Sequence, residues 1–326
     1  VIPPRAQPNF IGHSAALASL TEAAAANRLH HGWLIGGPPG VGKATLAFRF
    51  ARHLLAGGTT GNMAVDPDNP VFRRVAAGTH PDLFTVERRV NEKTDRLQTE
   101  IVVNTIQQAA GFMRRTAGEG GWRVVVIDGA EDMNANAANA LLKILEEPPA
   151  RAILLLVSAA PGRLLPTLRS RCRRLTLGRL GDDEVEALLE DYAPELTPAA
   201  RDRLVGLAEG SIGTAMSLAG EGGLAMAELV EEVLVARPAP ARAQAIADII
   251  ARSVEGTDKF ELFAGLLRTA LAARTRAAAR SGTAPGALAR EVAVWQELGV
   301  LAAQTVGLNL DKRAALTVAF NKLHGA

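Results

Sequence analysis

Three glycines and a lysine at close spacing carry the first chemistry legible in this sequence. Gly37, Gly40 and Gly42 precede Lys43 in a Gly-Pro-Pro-Gly-Val-Gly-Lys run, after apolar Trp33-Leu34-Ile35 and before a helix-forming stretch. Such glycines let the backbone curl so that its N–H groups point inward. The following helix N-terminus adds partial positive charge, and a lysine there reaches the terminal phosphates of a nucleotide. Gly37, Gly40, Val41, Gly42 and Lys43, with Ala44 and Thr45 in the first helical turn, are therefore the candidate phosphate-binding set. It can hold ATP or ADP, and the residues leave open whether it does.

Two groups that hydrolysis requires are missing. A hydroxyl directly after the lysine would ligate Mg²⁺, and the residue there is Ala44. Thr45 is no substitute, because one residue turns a side chain roughly 100° around a helix. Further along, WRVVVID puts Asp128 at the end of a buried strand, where a carboxylate can face a metal ion. A glutamate next to it would polarise the attacking water, but that residue is Gly129; Glu131 follows two positions later and is expected to project elsewhere. The set reads as a degenerate nucleotide site. Mg²⁺ is not expected to be held, and ATP turnover by the chain itself is expected to be absent or weak.

A second cluster is cationic. Arg169, Arg171, Arg173 and Arg174 surround Cys172, the single cysteine. A guanidinium is always charged, and its fork can bridge phosphate oxygens as charge develops in phosphoryl transfer. Taken alone, these arginines read better as a solvated basic edge before a strand. Cys172 reads as a small buried packing residue. One thiol can form neither an intrachain disulfide nor a cysteine-rich zinc site, which fits a reducing cytosol. His53 and His80 cannot supply a closed tetrahedral shell, so no zinc is expected and both read as structural or surface histidines.

The elements that would position these residues alternate as in a parallel α/β sheet. Strands are expected at 32–35, 83–87, 122–128, 153–158 and 174–177, and helices at 15–27, 43–55, 103–115 and 135–146. Residues 56–80 and 88–100 look like loops. From 178 onward the pattern is helical, with Asp182 expected to cap one helix and Thr197-Pro198 to open the next. A glycine-rich break at 219–223 precedes about four or five further helices. The expected division is 1–177, 178–221 and 222–326.

Composition bounds the rest. With 326 residues, 48% hydrophobic and 21% charged, the chain can bury more than one core. Thirty-six basic residues against 34 acidic ones give +2, which carries no charge signal for a nucleic-acid or membrane-surface protein. No apolar run nears the roughly 18 residues of a membrane span; residues 153–157 have strand length. Residues 1–10 lack a hydrophobic signal core, so no export is expected and the cytoplasm is the expected compartment.

With these residues in hand, the chain resembles the clamp-loader branch of the AAA+ ATPases, in the delta-prime group of bacterial DNA polymerase III. Four segments carry the likeness: GGPPGVGK (36–43), VVVIDGAEDMN (124–134), NALLKILEEPP (139–149) and LLPTLRSRC (164–172). The third is the most specific, since nucleotide-binding folds in general do not need it. The likeness is dense over 9–177, looser over 178–220, and rests on helical character beyond.

The resemblance implies an AAA+ P-loop domain with a parallel sheet, a small helical lid and an all-helical C-terminal collar, over the three ranges above. It implies that Arg171 acts in trans, as an arginine finger in a neighbouring subunit's ATP site. Ser158 stands nearest the polar sensor of active relatives, and Gly210-Ser211-Ile212-Gly213 fills the lid segment where they carry an arginine. The zinc module of many relatives has lost its cysteines: 57–78 contains none, while Thr79-His80-Pro81-Asp82 survives. The implied partners are gamma/tau and delta subunits in a heteropentamer, with the sliding clamp and primed DNA reached through the complex, and no membrane. The implied role is a non-hydrolysing or weakly hydrolysing stator in DNA replication. Its rivals are an ATP-hydrolysing gamma-type motor, favoured by Lys43 and Asp128, and a free-standing nucleotide-binding regulator.

Overall fold

The computed structural model describes residues 2–26, 28–58, 61–88, 90–91, 96–119, 121–220, 222–251 and 259–325. The chain forms two compact units, Val1–Met216 and Ser217–Ala326. The strands of the first are β1 (Gly32–Gly36), β2 (Leu83–Val86), β3 (Val90–Asn91), β4 (Arg96–Leu97), β5 (Arg123–Asp128), β6 (Ala152–Ser158) and β7 (Arg173–Thr176). Its helices are α1 (Ser14–Ala25), α2 (Lys43–Leu55), α3 (Pro70–Ala76), α4 (Val103–Met113), α5 (Ala135–Glu146), α6 (Pro166–Ser170), α7 (Asp182–Tyr192) and α8 (Pro198–Ala208). Helix α9 (Ile212–Ala219) begins in this unit and ends in the next.

Among the described residues, a five-stranded sheet runs β2-β5-β6-β1-β7, every neighbouring pair parallel. Strands β1 and β6 are buried along their whole length. They read as nearly continuous apolar runs because helices cover both faces of a parallel sheet. The two-residue period still sorts their side chains. Trp33, Ile35, Val124, Val126, Ile153 and Leu155 pack with α2 on one face. Leu34, Val125, Ile127, Leu154 and Leu156 pack with α4 and α5 on the other.

The expected strands and helices form, each end within two residues of its sequence-based bound. Three expectations need correction. The 56–80 stretch contains α3: the Asn69 side chain accepts the Val71 amide at 2.8 Å, and Pro70 opens the helix with its φ already fixed. The 88–100 stretch contains the antiparallel pair β3–β4; residues 89 and 92–95 of it, like 59–60 of the earlier loop, lie outside the described residues. Asp182 is the first residue of α7 and Gly181 is its cap, because Glu184 reaches back to accept the Gly181 amide at 2.9 Å. Thr197 does cap α8, accepting the Ala200 amide at 3.3 Å.

The second unit holds α10 (Gly223–Val235), α11 (Pro240–Ala251), α12 (Lys259–Arg280), α13 (Pro285–Gly307) and α14 (Lys312–His324). Phe263 of α12 meets Phe320 of α14 edge to face at 6.3 Å, among buried Leu266, Leu267, Leu298 and Leu316. Among the described residues no helix is long and apolar enough to cross a membrane.

Candidate nucleotide site and a cationic edge

The glycine loop leaves β1 and turns directly into α2. Gly37, Gly40 and Gly42 all have positive φ, at 148°, 72° and 96°, backbone conformations that side chains rarely adopt. At Gly37 the space is also closed, since a Cβ would collide with the Leu177 carbonyl after β7. Val41 is buried in the core and its carbonyl oxygen accepts from His13 Nε2 at 2.8 Å, which fixes the proton on that nitrogen. The loop therefore has the curled shape that the sequence predicts.

Its polar groups, however, are turned inward on the protein. Lys43 is buried, and its ammonium donates to the Pro38 carbonyl at 2.5 Å. Burial lowers its pKa, against the raising effect of Glu131 and then Asp128. The segment 210–213 lies directly on the loop: the Gly213 amide donates to the Gly40 carbonyl at 2.9 Å, and the Ser211 hydroxyl to the Pro39 carbonyl at 3.1 Å. A Cβ on Gly213 would stand 2.7 Å from the Gly40 Cα, and one on Gly40 would collide with the Ser211 hydroxyl. Only glycine at both positions permits this approach.

The metal-side groups complete the picture. The Ala44 methyl packs against the sheet core and supplies no oxygen, while Thr45 is half-buried one position further round α2. Asp128 sits at the end of β5, and burial pushes its pKa up, aided by Glu87. Gly129 has φ 76°, and a Cβ there would lie 2.9 Å from an Asp132 carboxylate oxygen. The backbone is thus shaped for glycine where a water-polarising glutamate would be needed. Ser158 is fully buried and accepts the Ala160 amide at 3.2 Å, so its hydroxyl closes a local turn. Positions 44 and 129 thus present no side-chain oxygen beside Lys43 and Asp128.

Glu131 is held at the end of β6. Its Oε1 accepts the Ala159 amide at 2.7 Å, and it is the strongest opposing charge on Lys43. A short 3₁₀ turn at Ala130–Asp132, launched by Gly129, carries it to that contact.

Residue spacing carries no signal for how the segment before α1 is held. Arg52 is buried in α2 and donates to the carbonyls of Arg5 and Gln7, each at 2.7 Å, with Phe72 stacked beneath it at 4.6 Å. Arg49 donates to the Pro8 carbonyl at 2.9 Å. Burial lowers the Arg52 pKa to about 10. His53 and His80 are core histidines whose pKa values burial lowers. Asp82 accepts the amides of Gly118 and Glu119 at 2.6 and 3.0 Å, so the surviving His-Pro-Asp segment pins a turn.

Arg171 lies far along the chain, at the end of α6. Its side chain is 38% exposed; Nη2 meets Glu146 Oε1 at 2.9 Å, and Nη1 donates to the Thr167 carbonyl at 3.1 Å. Cys172, next to it, is buried in the core between β1 and α5, and burial pushes its thiol up to about 11. Arg173 stacks on Trp33 at 4.9 Å.

The sheet order, the glycine loop after β1, the aspartate ending β5 and the helices that follow define an AAA+ fold. Consistent with this, a DNA polymerase III gamma subunit-related protein from Thermotoga maritima superposes with a TM-score of 0.52 over 94% of this chain and 98% of that one, at 20% identity. The chain belongs to the DNA polymerase III delta subunit family, whose model matches residues 12–181. It is 40% identical over 197 residues to DNA polymerase III subunit delta' of Pseudomonas aeruginosa, covering 59% of this chain and 56% of that protein. With the Escherichia coli delta' subunit the identity is 36% over 148 residues, 45% and 42% of the two chains. The chain thus spans about half the length of the curated relatives it matches.

Proposed function

We propose that this chain is a non-hydrolysing or weakly hydrolysing stator of a DNA polymerase III clamp loader, donating Arg171 in trans to a neighbouring subunit's ATP site. One observation carries the reading: the Gly213 amide bonds the Gly40 carbonyl at 2.9 Å, so the lid segment lies on the phosphate loop where an active site would present an arginine. Ala44 and Gly129 remove the other two hydrolytic groups. Arg171, by contrast, keeps an exposed guanidinium outside this chain's own loop.

In this reading the chain assembles with gamma/tau and delta subunits in a heteropentamer that places a sliding clamp on primed DNA, in the cytoplasm. The three-part division at 177 and 221 then separates P-loop domain, lid and collar. Exposed Val292, Val300, Val306, Leu308 and Leu310 on and after α13 give the second unit apolar surface suited to a subunit contact. ATP turnover by the purified chain at the rate of a motor subunit would sink the proposal in favour of a gamma-type motor, which Lys43 and Asp128 would serve. Sizing the chain with gamma/tau and delta subunits tests the assembly; failure to co-elute would leave a free-standing protein.

A further inference from the structure

We propose that Glu146 is the positioning residue for Arg171, aiming its guanidinium outward for a phosphate held by a neighbouring subunit. The inference rests on reading Arg171 as a finger in trans. Two motifs 25 positions apart, NALLKILEEPP and LLPTLRSRC, meet at this pair, with Nη2 to Oε1 at 2.9 Å. The Thr167 carbonyl takes Nη1 at 3.1 Å, so the guanidinium plane is fixed at two points. Nε and the remaining terminal N–H groups stay open for a second acceptor, because arginine carries more donors than these two contacts use. A carboxylate on one edge of a planar fork orients it without consuming it.

Glu146 is itself held in place. It is the last residue of α5, ahead of Pro148, and His31 Nε2 donates to the carbonyl of Leu145 just before it at 3.0 Å. Gly32, the first residue of β1, lies between the end of α5 and the Arg171 segment. A Cβ there would stand 2.7 Å from Leu145 Cδ2, 3.5 Å from Cys172 Sγ and 3.6 Å from the Arg171 carbonyl oxygen. The end of α5 and the Arg171 segment both pack against the start of β1. Glu146 and Arg171 are 51% and 38% exposed, and ion pairs this open add little to stability. Stability gives little reason for the pair, whereas a finger that must be aimed before its phosphate arrives gives a direct one.

The test uses the reconstituted clamp loader, with ATP hydrolysis stimulated by clamp and primed DNA and measured against ATP concentration. Glu146→Ala is expected to lower kcat about tenfold with KM for ATP nearly unchanged, the signature of a misaimed transition-state group. Glu146→Gln should recover most of the rate, because its amide oxygen accepts the same N–H. In an Arg171→Ala background, Glu146→Ala should add no further loss. Full activity of Glu146→Ala beside an impaired Arg171→Ala overturns the positioning role and leaves the finger standing. Independent, multiplying losses in the double variant overturn it as well. Full activity of Arg171→Ala removes the finger, and this inference with it. Should Glu146→Ala fail to assemble, Glu146→Asp draws the carboxylate back by one methylene; wild-type turnover from that variant overturns the proposal too.

Discussion

The Gly213 amide and the Gly40 carbonyl, 173 positions apart in a 326-residue chain, share a hydrogen bond of 2.9 Å. That bond lays the start of α9 on the phosphate loop, backbone against backbone. Restoring an arginine at this position should therefore fail to restore hydrolysis. Gly213→Arg forces a Cβ to 2.7 Å from the Gly40 Cα and is expected to cost about 1–3 kcal/mol in overpacking. Thermal melting should show the loss, and a coupled ATPase assay on the isolated chain should show no gain.

Gly129→Glu is expected to behave similarly for a different reason. Its backbone sits at φ 76°, where a side chain costs about 1–2 kcal/mol, and Asp132 adds a like charge beside the new carboxylate. Denaturant titration should show a lower midpoint. The variant should still lack turnover, because Ala44 continues to withhold the Mg²⁺ ligand.

Arg171→Ala should leave the isolated chain folded, since an exposed ion pair contributes about 0–1 kcal/mol. In the assembled complex it should slow hydrolysis at the neighbouring site on the order of 10³-fold, the usual worth of an arginine finger. Melting of the chain and single-turnover hydrolysis by the complex measure the two effects separately.

Acid should weaken the fold through its histidines. Burial lowers the pKa of His31, His53 and His80 in the folded chain. The unfolded chain then binds more protons just below the ordinary histidine value of about 6.5, so stability is full above it and falls as pH drops toward the lowered values. Urea midpoints between pH 7.5 and 5.5, about one unit either side of that value, should decline with acidification. His80→Asn, which keeps an acceptor for the Asp82 amide, should flatten part of the slope.

Cys172 should resist alkylation. Its thiol is buried and pushed up to about 11, so the reactive thiolate is scarce at pH 8. Iodoacetamide should label it slowly in the native chain and rapidly in denaturant; fast native labelling would contradict the packing found between β1 and α5.

Much of this is legible in the sequence. The curled loop, its missing hydroxyl at Ala44 and its missing carboxylate at Gly129 are local facts, written in residue types at fixed spacing. Helix bounds at Lys43–Leu55 and Ala135–Glu146 match their sequence-based limits because periodicity and proline punctuation coincide there. The partner of Glu131, the Ala159 amide, is not legible this way, because Gly129 has a positive φ and the partner lies at the end of another strand.

By itself the sequence determined the AAA+ fold and a loop lacking its hydrolytic partners, since sheet patterning and motif chemistry depend on neighbours along the chain. Tertiary structure alone decided which distant groups meet: Gly213 with Gly40, Arg52 with the carbonyls of residues 5 and 7, and Glu146 with Arg171. Those contacts depend on backbone approach and side-chain direction across elements. Gly32 illustrates the difference. In the sequence it merely opens a strand, and in the fold it lies against Leu145 of one motif and Cys172 of the other.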